Sequence, residues 1–225
     1  MNKDLEKKGL PPLIKASDKF VAPRLTSGIL SLDTALGGGW AGNSWAEVYG
    51  ESSSGKTSII LHTISVNQKL NPDFQTFWLG SEPYDKEWAE KNGLDNDRVD
   101  VLDTRNMEAG MQAVLSAAES KNYDCIVIDS YPALIANQED EKNMDELVVA
   151  AGARVVGKFF RKVGSTFNEE RPYIGFWVNQ FREKIGGFSP YGTPKTVPGG
   201  KAKDFSFIQR VVVSRDDWIK EKIDG

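Results

Sequence analysis

The 225-residue sequence holds one cysteine, Cys125, and one histidine, His62. A single cysteine excludes an internal disulfide and any metal site built on cysteines, and it points to a reducing compartment. His62, in "SIILHTIS", stands at helical spacing and reads as a helix residue, not a ligand. No stretch approaches a run of about 18 apolar residues, and the N-terminal "MNKDLEKKGLPPLIKASDKF" has no apolar signal-type core. A cytoplasmic chain with no membrane partner is expected. Excess positive charge is missing too: 28 Lys and Arg face 32 Asp and Glu, a net charge of −4. A nucleic-acid site would therefore have to come from local clustering of cations. Repeats and low-complexity tracts are absent.

What is present is the balance of an ordinary globular chain, 40% hydrophobic and 27% charged. Residues 1–24 are polar and proline-punctuated and read as an arm; residues 25–225 read as the core. Short apolar runs at 44–50, 74–81, 99–103, 124–130, 173–179 and 206–214 predict strands. Helix-forming stretches at 56–70, 85–93, 107–122 and 144–167 alternate with most of them. That alternation predicts an α/β fold with a mostly parallel, doubly wound sheet.

Between the first strand and the first long helix stands "GESSSGKT", from Gly50 to Thr57. It matches the phosphate-binding pattern G-x-x-x-x-G-K-[ST] in the strand-to-helix setting that the mechanism demands. Gly50, Glu51, Ser52, Ser53, Ser54 and Gly55 form the loop whose backbone N–H groups would face phosphates at a helix N-terminus. Lys56 would reach the β- and γ-phosphates, and the Thr57 hydroxyl would hold Mg²⁺. A carboxylate completing the Mg²⁺ shell is expected at the end of a buried strand, where "CIVIDS" puts Asp129. Glu82, in "FWLGSEPYD", is a candidate for orienting an attacking water.

A different anomaly lies between Phe181 and Asp204. This stretch carries five glycines and three prolines without helical or strand periodicity. Unstructured connections this long are uncommon in compact domains unless they are functional or disordered. From Gln180 to Lys203 the cations Arg182, Lys184, Lys195, Lys201 and Lys203 face one acid, Glu183, a local charge of +4 that leaves −8 for the remainder. Phe188 and Tyr191 interleave with these charges, as expected where bases stack. Gly186, Gly187, Gly192, Gly199 and Gly200 would let the backbone move and approach closely. A second basic stripe runs along 144–167, where Arg154, Lys158 and Arg161 share a face, with Lys162 beside them.

The stretch "TSGILSLDTALGGGWAGNSWAEVYGESSSGKTSIIL" goes beyond a generic phosphate loop and resembles the start of the ATPase core of RecA-type recombinases. The resemblance continues in order through "SEPYDKEWAEKNGLD", "YDCIVIDSYPALI", "ARVVGKFFRK", "WVNQFREKIG" and "PGGKAKDF", over about residues 25–215. It implies a RecA-like P-loop core that binds ATP and Mg²⁺. Glu82 then becomes the water-activating carboxylate and Lys56 the phosphate lysine. Asp85 and Trp88 fall at the adenine, and Gln180, with Asn179 beside it, falls at the sensor of the γ-phosphate. The resemblance also aligns Arg154 and Arg161 with DNA-phosphate contacts and makes 180–203 the second DNA loop, with Phe188 or Tyr191 inserting between bases. The acidic "NQEDEKNMDE" stands at the first DNA loop, where Met144 is the base-contacting candidate. Asp204 stands where bacterial members carry lysine.

These implications describe a DNA-dependent ATPase that forms a helical filament on single-stranded DNA. It would pair that strand with double-stranded DNA and exchange strands, with single-strand-binding or loading proteins as further partners. A hexameric helicase or loader of the same superfamily is the alternative, and a non-hydrolysing paralogue a third. The N-terminal arm is a candidate polymerisation segment. The cross-interface lysines of the family lie beyond "WIKEKIDG", so the resemblance implies either a protein that ends early or a C-terminal continuation.

Overall fold

The computed structural model describes residues 1–137, 149–183 and 195–216. Ten strands are described: β1 (Arg24–Leu25), β2 (Trp40–Ala41), β3 (Ser44–Gly50), β4 (Thr76–Gly80), β5 (Val99–Asp103), β6 (Cys125–Asp129), β7 (Ile174–Gln180), β8 (Arg182–Glu183), β9 (Lys195–Thr196) and β10 (Phe207–Val213). The α-helices are α1 (Asn2–Glu6), α2 (Leu30–Ala35), α3 (Lys56–Leu70), α4 (Lys86–Lys91), α5 (Met107–Ser120), α6 (Val149–Val163) and α7 (Gly200–Asp204). Six strands form one sheet in the order β10-β3-β7-β6-β4-β5, and every pairing in it is parallel.

The near-continuous apolar strands fill both faces of this sheet, as parallel strands covered by helices must. On β6, Ile126 and Ile128 join the core beneath α5 and α6, while Cys125 and Val127 join the core beneath α3. β7 divides in the same way: Trp177 lies on the α5–α6 side, and Ile174, Phe176 and Val178 lie on the other. The odd residue, Gly175, has a packing reason. A Cβ there would sit 2.2 Å from the ring of Trp45 on β3, and that ring packs edge-on against Phe159 of α6 at 5.3 Å.

Local chemistry sets the helix starts. Asn106 caps α5 by accepting from the N–H of Ala109 at 2.9 Å, and Asp85 caps α4 by accepting from the N–H of Trp88 at 2.9 Å. Helix α3 begins directly after Gly55, whose φ of +95° suits glycine alone among common residues. His62 lies on α3, as its spacing predicts.

The described parts of the stretch expected to lack periodicity hold regular elements. β8 and β9 pair antiparallel, Arg182 opposite Thr196 and Glu183 opposite Lys195, and α7 comes next. Two-residue strands are too short to leave a period-2 signature in sequence. Lys184, Phe188, Tyr191 and Met144 lie outside the described residues.

Candidate nucleotide site and the loop beside it

The parallel sheet brings the C-terminal ends of β3, β4, β6 and β7 to one edge, and a cavity of about 550 Å³ opens there. Ser52, Ser53, Ser54, Gly55, Lys56 and Thr57 line it from the loop after β3. Glu82, Asp85 and Trp88 line it from the segment after β4, Asp129 from β6 and Gln180 from β7. Residues more than a hundred positions apart in sequence thus share one cavity.

The two motif glycines serve different needs. A Cβ on Gly50 would sit 2.0 Å from the carbonyl oxygen of Val213, so β10 requires that glycine by its proximity. Gly55 has open space around it and is required by its left-handed backbone instead. Ser53 also adopts a positive φ, +56°.

Within the loop, Lys56 is buried and its Nζ donates to the Glu51 carbonyl at 2.6 Å. Burial pushes the Lys56 ammonium below its ordinary pKa, while the charges of Asp129 and Glu51 push the other way. Thr57 Oγ1 donates to Asp129 Oδ2 at 2.8 Å. Burial raises the pKa of Asp129; the Thr57 hydrogen bond lowers it, nearby Glu82 raises it further, and Lys56 lowers it.

Three features fit a Mg²⁺-bound triphosphate. A hydroxyl and a carboxylate in mutual contact are the hard oxygen donors that Mg²⁺ uses when phosphates complete its shell. Asp129 is held with burial acting against its charge, which a cation would relieve. Ser54 Oγ is buried in the loop without a hydrogen-bond partner, and an anionic oxygen would satisfy it. Among the described residues no group of three or more His, Cys, Asp or Glu forms a metal cluster. Thr57 and Asp129 are the hydroxyl and carboxylate in mutual contact at this cavity.

Several lining residues went unread in the sequence. Trp78 and Tyr84 stack edge-on at 5.4 Å and, with Trp88, give the cavity an aromatic wall. Tyr84 also donates to Asn96 Oδ1 at 2.9 Å. Its place between Glu82 and Asp85 in "SEPYD" was the available signal. Asp85 lines the cavity but already spends one oxygen capping α4.

The pair at the end of β7 separates. The pleat sends Gln180 toward the cavity and Asn179 to the opposite face. There Asn179 is fully buried and donates to Glu47 Oε1 and to the Pro198 carbonyl, both at 2.9 Å.

The cations of 180–203 divide as well. Lys203 does not belong with an exposed phosphate-binding set: it is 1% exposed and bonds to Glu47, itself fully buried, at 2.9 Å. Asp204 and Arg210 complete that network. Charge counting reads sign alone, whereas burial decides availability. Arg182 and Lys195 are exposed, and Lys195 forms an ion pair with Glu51. Gly199 and Gly200 have φ of +111° and +73° and lead into α7, on which Lys201 falls. Arg154, Lys158, Arg161 and Lys162 are exposed along α6. Arg154, Lys158 and Lys162, at fourfold spacing, line a second groove of about 350 Å³ against α5, which Arg161 does not line. No helix among the described residues is long and apolar enough to cross a membrane.

A phosphate loop joining a strand to a helix, with a carboxylate on a neighbouring parallel strand, defines a P-loop nucleotide-binding α/β core. The family model of the RecA N-terminal domain matches residues 1–224, and the chain belongs to the RecA family. It is 32% identical over 225 residues to Protein RecA of Enterococcus faecalis (strain ATCC 700802 / V583), covering 100% of this chain and 63% of that protein. It is 34% identical to Protein RecA of Clostridium tetani (strain Massachusetts / E88) over 88% of this chain and 55% of that protein. With Protein RecA of Petrotoga mobilis (strain DSM 10674 / SJ95) the identity is 37%, over 87% of this chain and 52% of that protein. The chain thus spans a little over half the length of these curated relatives.

Proposed function

We propose that the chain is the nucleotide-binding core of a DNA-dependent ATPase that assembles on single-stranded DNA and promotes homologous pairing and strand exchange. The observation that carries this reading is the single cavity uniting Lys56, Thr57, Asp129, Glu82 and Gln180 beside the basic hairpin of β8 and β9. In it, the loop N–H groups and Lys56 would hold the triphosphate, and Thr57 and Asp129 would hold Mg²⁺. When bound, Mg²⁺ neutralises charge on the β- and γ-phosphate oxygens. Glu82 orients a water for in-line attack and accepts its proton. Gln180 donates its amide to the γ-phosphate, a contact that does not titrate. Trp88 offers a π-face to the base, with Asp85 beside it. Arg154, Arg161, Arg182 and Lys195 supply exposed cations for DNA phosphates, so affinity should fall steeply as salt rises.

Turnover of ATP with and without oligo(dT), together with electron microscopy of the ATP-analogue complex, tests this reading. We expect DNA to stimulate turnover and Lys56→Ala to reduce it by at least about 100-fold, the scale of losing a charged transition-state donor. Helical filaments are expected. Closed hexameric rings would replace the recombinase by a helicase or loader, and an inert wild type would reject the ATPase.

A further inference from the structure

Glu51 is only an unspecified position of the phosphate-loop pattern, yet it touches two lysines. Its backbone carbonyl accepts from Lys56 Nζ at 2.6 Å, and its carboxylate pairs with Lys195 on β9. Lys195 also lies over the ring of Phe181, 5.8 Å from its centroid. One residue earlier, the Gly50 carbonyl accepts from the N–H of Phe181 at 3.2 Å. Residues 50 and 51 therefore hold both stems of the β8–β9 hairpin, one through the backbone before β8 and the other through the side chain on β9.

We propose that Glu51 is a positioning residue that couples the triphosphate site to the DNA loop, by holding the two ammonium groups that nucleotide phosphate and DNA phosphate would each claim. The inference rests on the function proposed above and adds the route by which its two ligands communicate. A phosphate oxygen is a stronger acceptor for Lys56 than a neutral carbonyl, because charge-assisted hydrogen bonds are roughly twice as strong. Drawing Lys56 away reorients the peptide at residue 51. The carboxylate on the same residue then shifts relative to Lys195, and the β9 stem is released to meet DNA. In the opposite direction, a DNA phosphate that captures Lys195 frees the Glu51 carboxylate and loosens the loop around Lys56. Linkage requires the two effects to be equal. Lys195 and Glu51 are each 53% exposed, so the contact is weak and reversible, as a coupling contact has to be.

The test is fluorescence anisotropy of labelled oligo(dT) binding to the whole chain at low salt, with and without a slowly hydrolysed ATP analogue and Mg²⁺. The quantity read is the ratio of the two DNA dissociation constants. Glu51→Gln keeps the carbonyl but removes the charge. It should tighten DNA binding without nucleotide by about 2- to 5-fold, the range set by an exposed ion pair, and shrink the ratio by the same factor. Lys195→Gln should shrink the ratio similarly, and the double variant should shrink it no further. The exchanged pair Glu51→Lys with Lys195→Glu should restore part of the coupling. A ratio unchanged in Glu51→Gln, or single effects that multiply in the double variant, would overturn the proposal. A wild type that binds neither nucleotide nor DNA would remove the proposed function along with it. Nucleotide binding that is lost in Lys56→Ala, beside a ratio indifferent to Glu51, would leave the function standing and remove only the coupling. Both side chains face solvent, so these variants keep the fold.

Discussion

At the scale of single residues, burial and charge oppose each other at Lys56 and Asp129. Burial favours the neutral form of each, and each partly offsets this for the other. The same physics gives a cleaner test at Tyr173, away from the site. Burial pushes its phenol from 10.0 to about 12, and its oxygen lies 2.7 Å from Thr166 Oγ1. Between those pH values the folded chain keeps a proton that the unfolded chain releases. Stability is therefore lost as pH rises from 10 toward 12, by up to about 2–3 kcal/mol from this group. Urea unfolding of wild type and Tyr173→Phe at pH 8 and pH 11 measures this. The variant should lose less stability on going to pH 11, and an equal loss would contradict the assignment. The legible residues at this scale were those that chemistry fixes by type and spacing: Gly55, Lys56, Thr57 and Asp129. Lys203 was misread because a lysine in a basic run looks the same whether it faces solvent or a buried glutamate.

Among elements, β3 has two tasks. Its C-terminal end opens the phosphate loop, and Glu47 in its middle anchors the segments on either side of residues 184–194. Lys203, Arg210 and Asn179 all bond to the buried Glu47, which ties α7, β10 and β7 to one carboxylate. Removing one partner from such a network leaves a buried charge underpaired. Lys203→Met should cost about 3 kcal/mol in urea unfolding, and a loss below about 0.5 kcal/mol would mean that Arg210 and Asn179 suffice. The close fit of β7 on β3 gives a second expectation. Gly175→Ala places a methyl inside the Trp45 ring and should cost about 1–3 kcal/mol by the same measurement. The long strands and helices were readable because burial on two faces imposes continuous apolar runs, and exposed helices need good formers. The hairpin of β8 and β9 was not readable, since its pairing is local to two residues on each side and carries no periodic pattern.

For the whole molecule, one cavity at the edge of a six-stranded sheet makes ligand binding a folding term. A triphosphate that binds only the folded chain stabilises it by about 2.7 kcal/mol at a hundred times its dissociation constant. For a chain of this size that corresponds to roughly 5–10 °C in Tm. Thermal unfolding with Mg²⁺ and an ATP analogue should show this rise in wild type, and Lys56→Ala should abolish it. An equal rise in the variant would mean that the nucleotide binds elsewhere.

By itself the sequence determined the class of fold, the phosphate-loop pattern and the carboxylate at the end of β6, because a glycine-bounded strand-to-helix turn and a buried parallel strand each demand residue types at fixed places. Only the tertiary structure decided which cations were available and how the loop stems were fastened. Ion pairs such as Lys203 with Glu47, or Lys195 with Glu51, join residues 144 or more positions apart. No local pattern encodes such contacts; the order of strands in the sheet creates them.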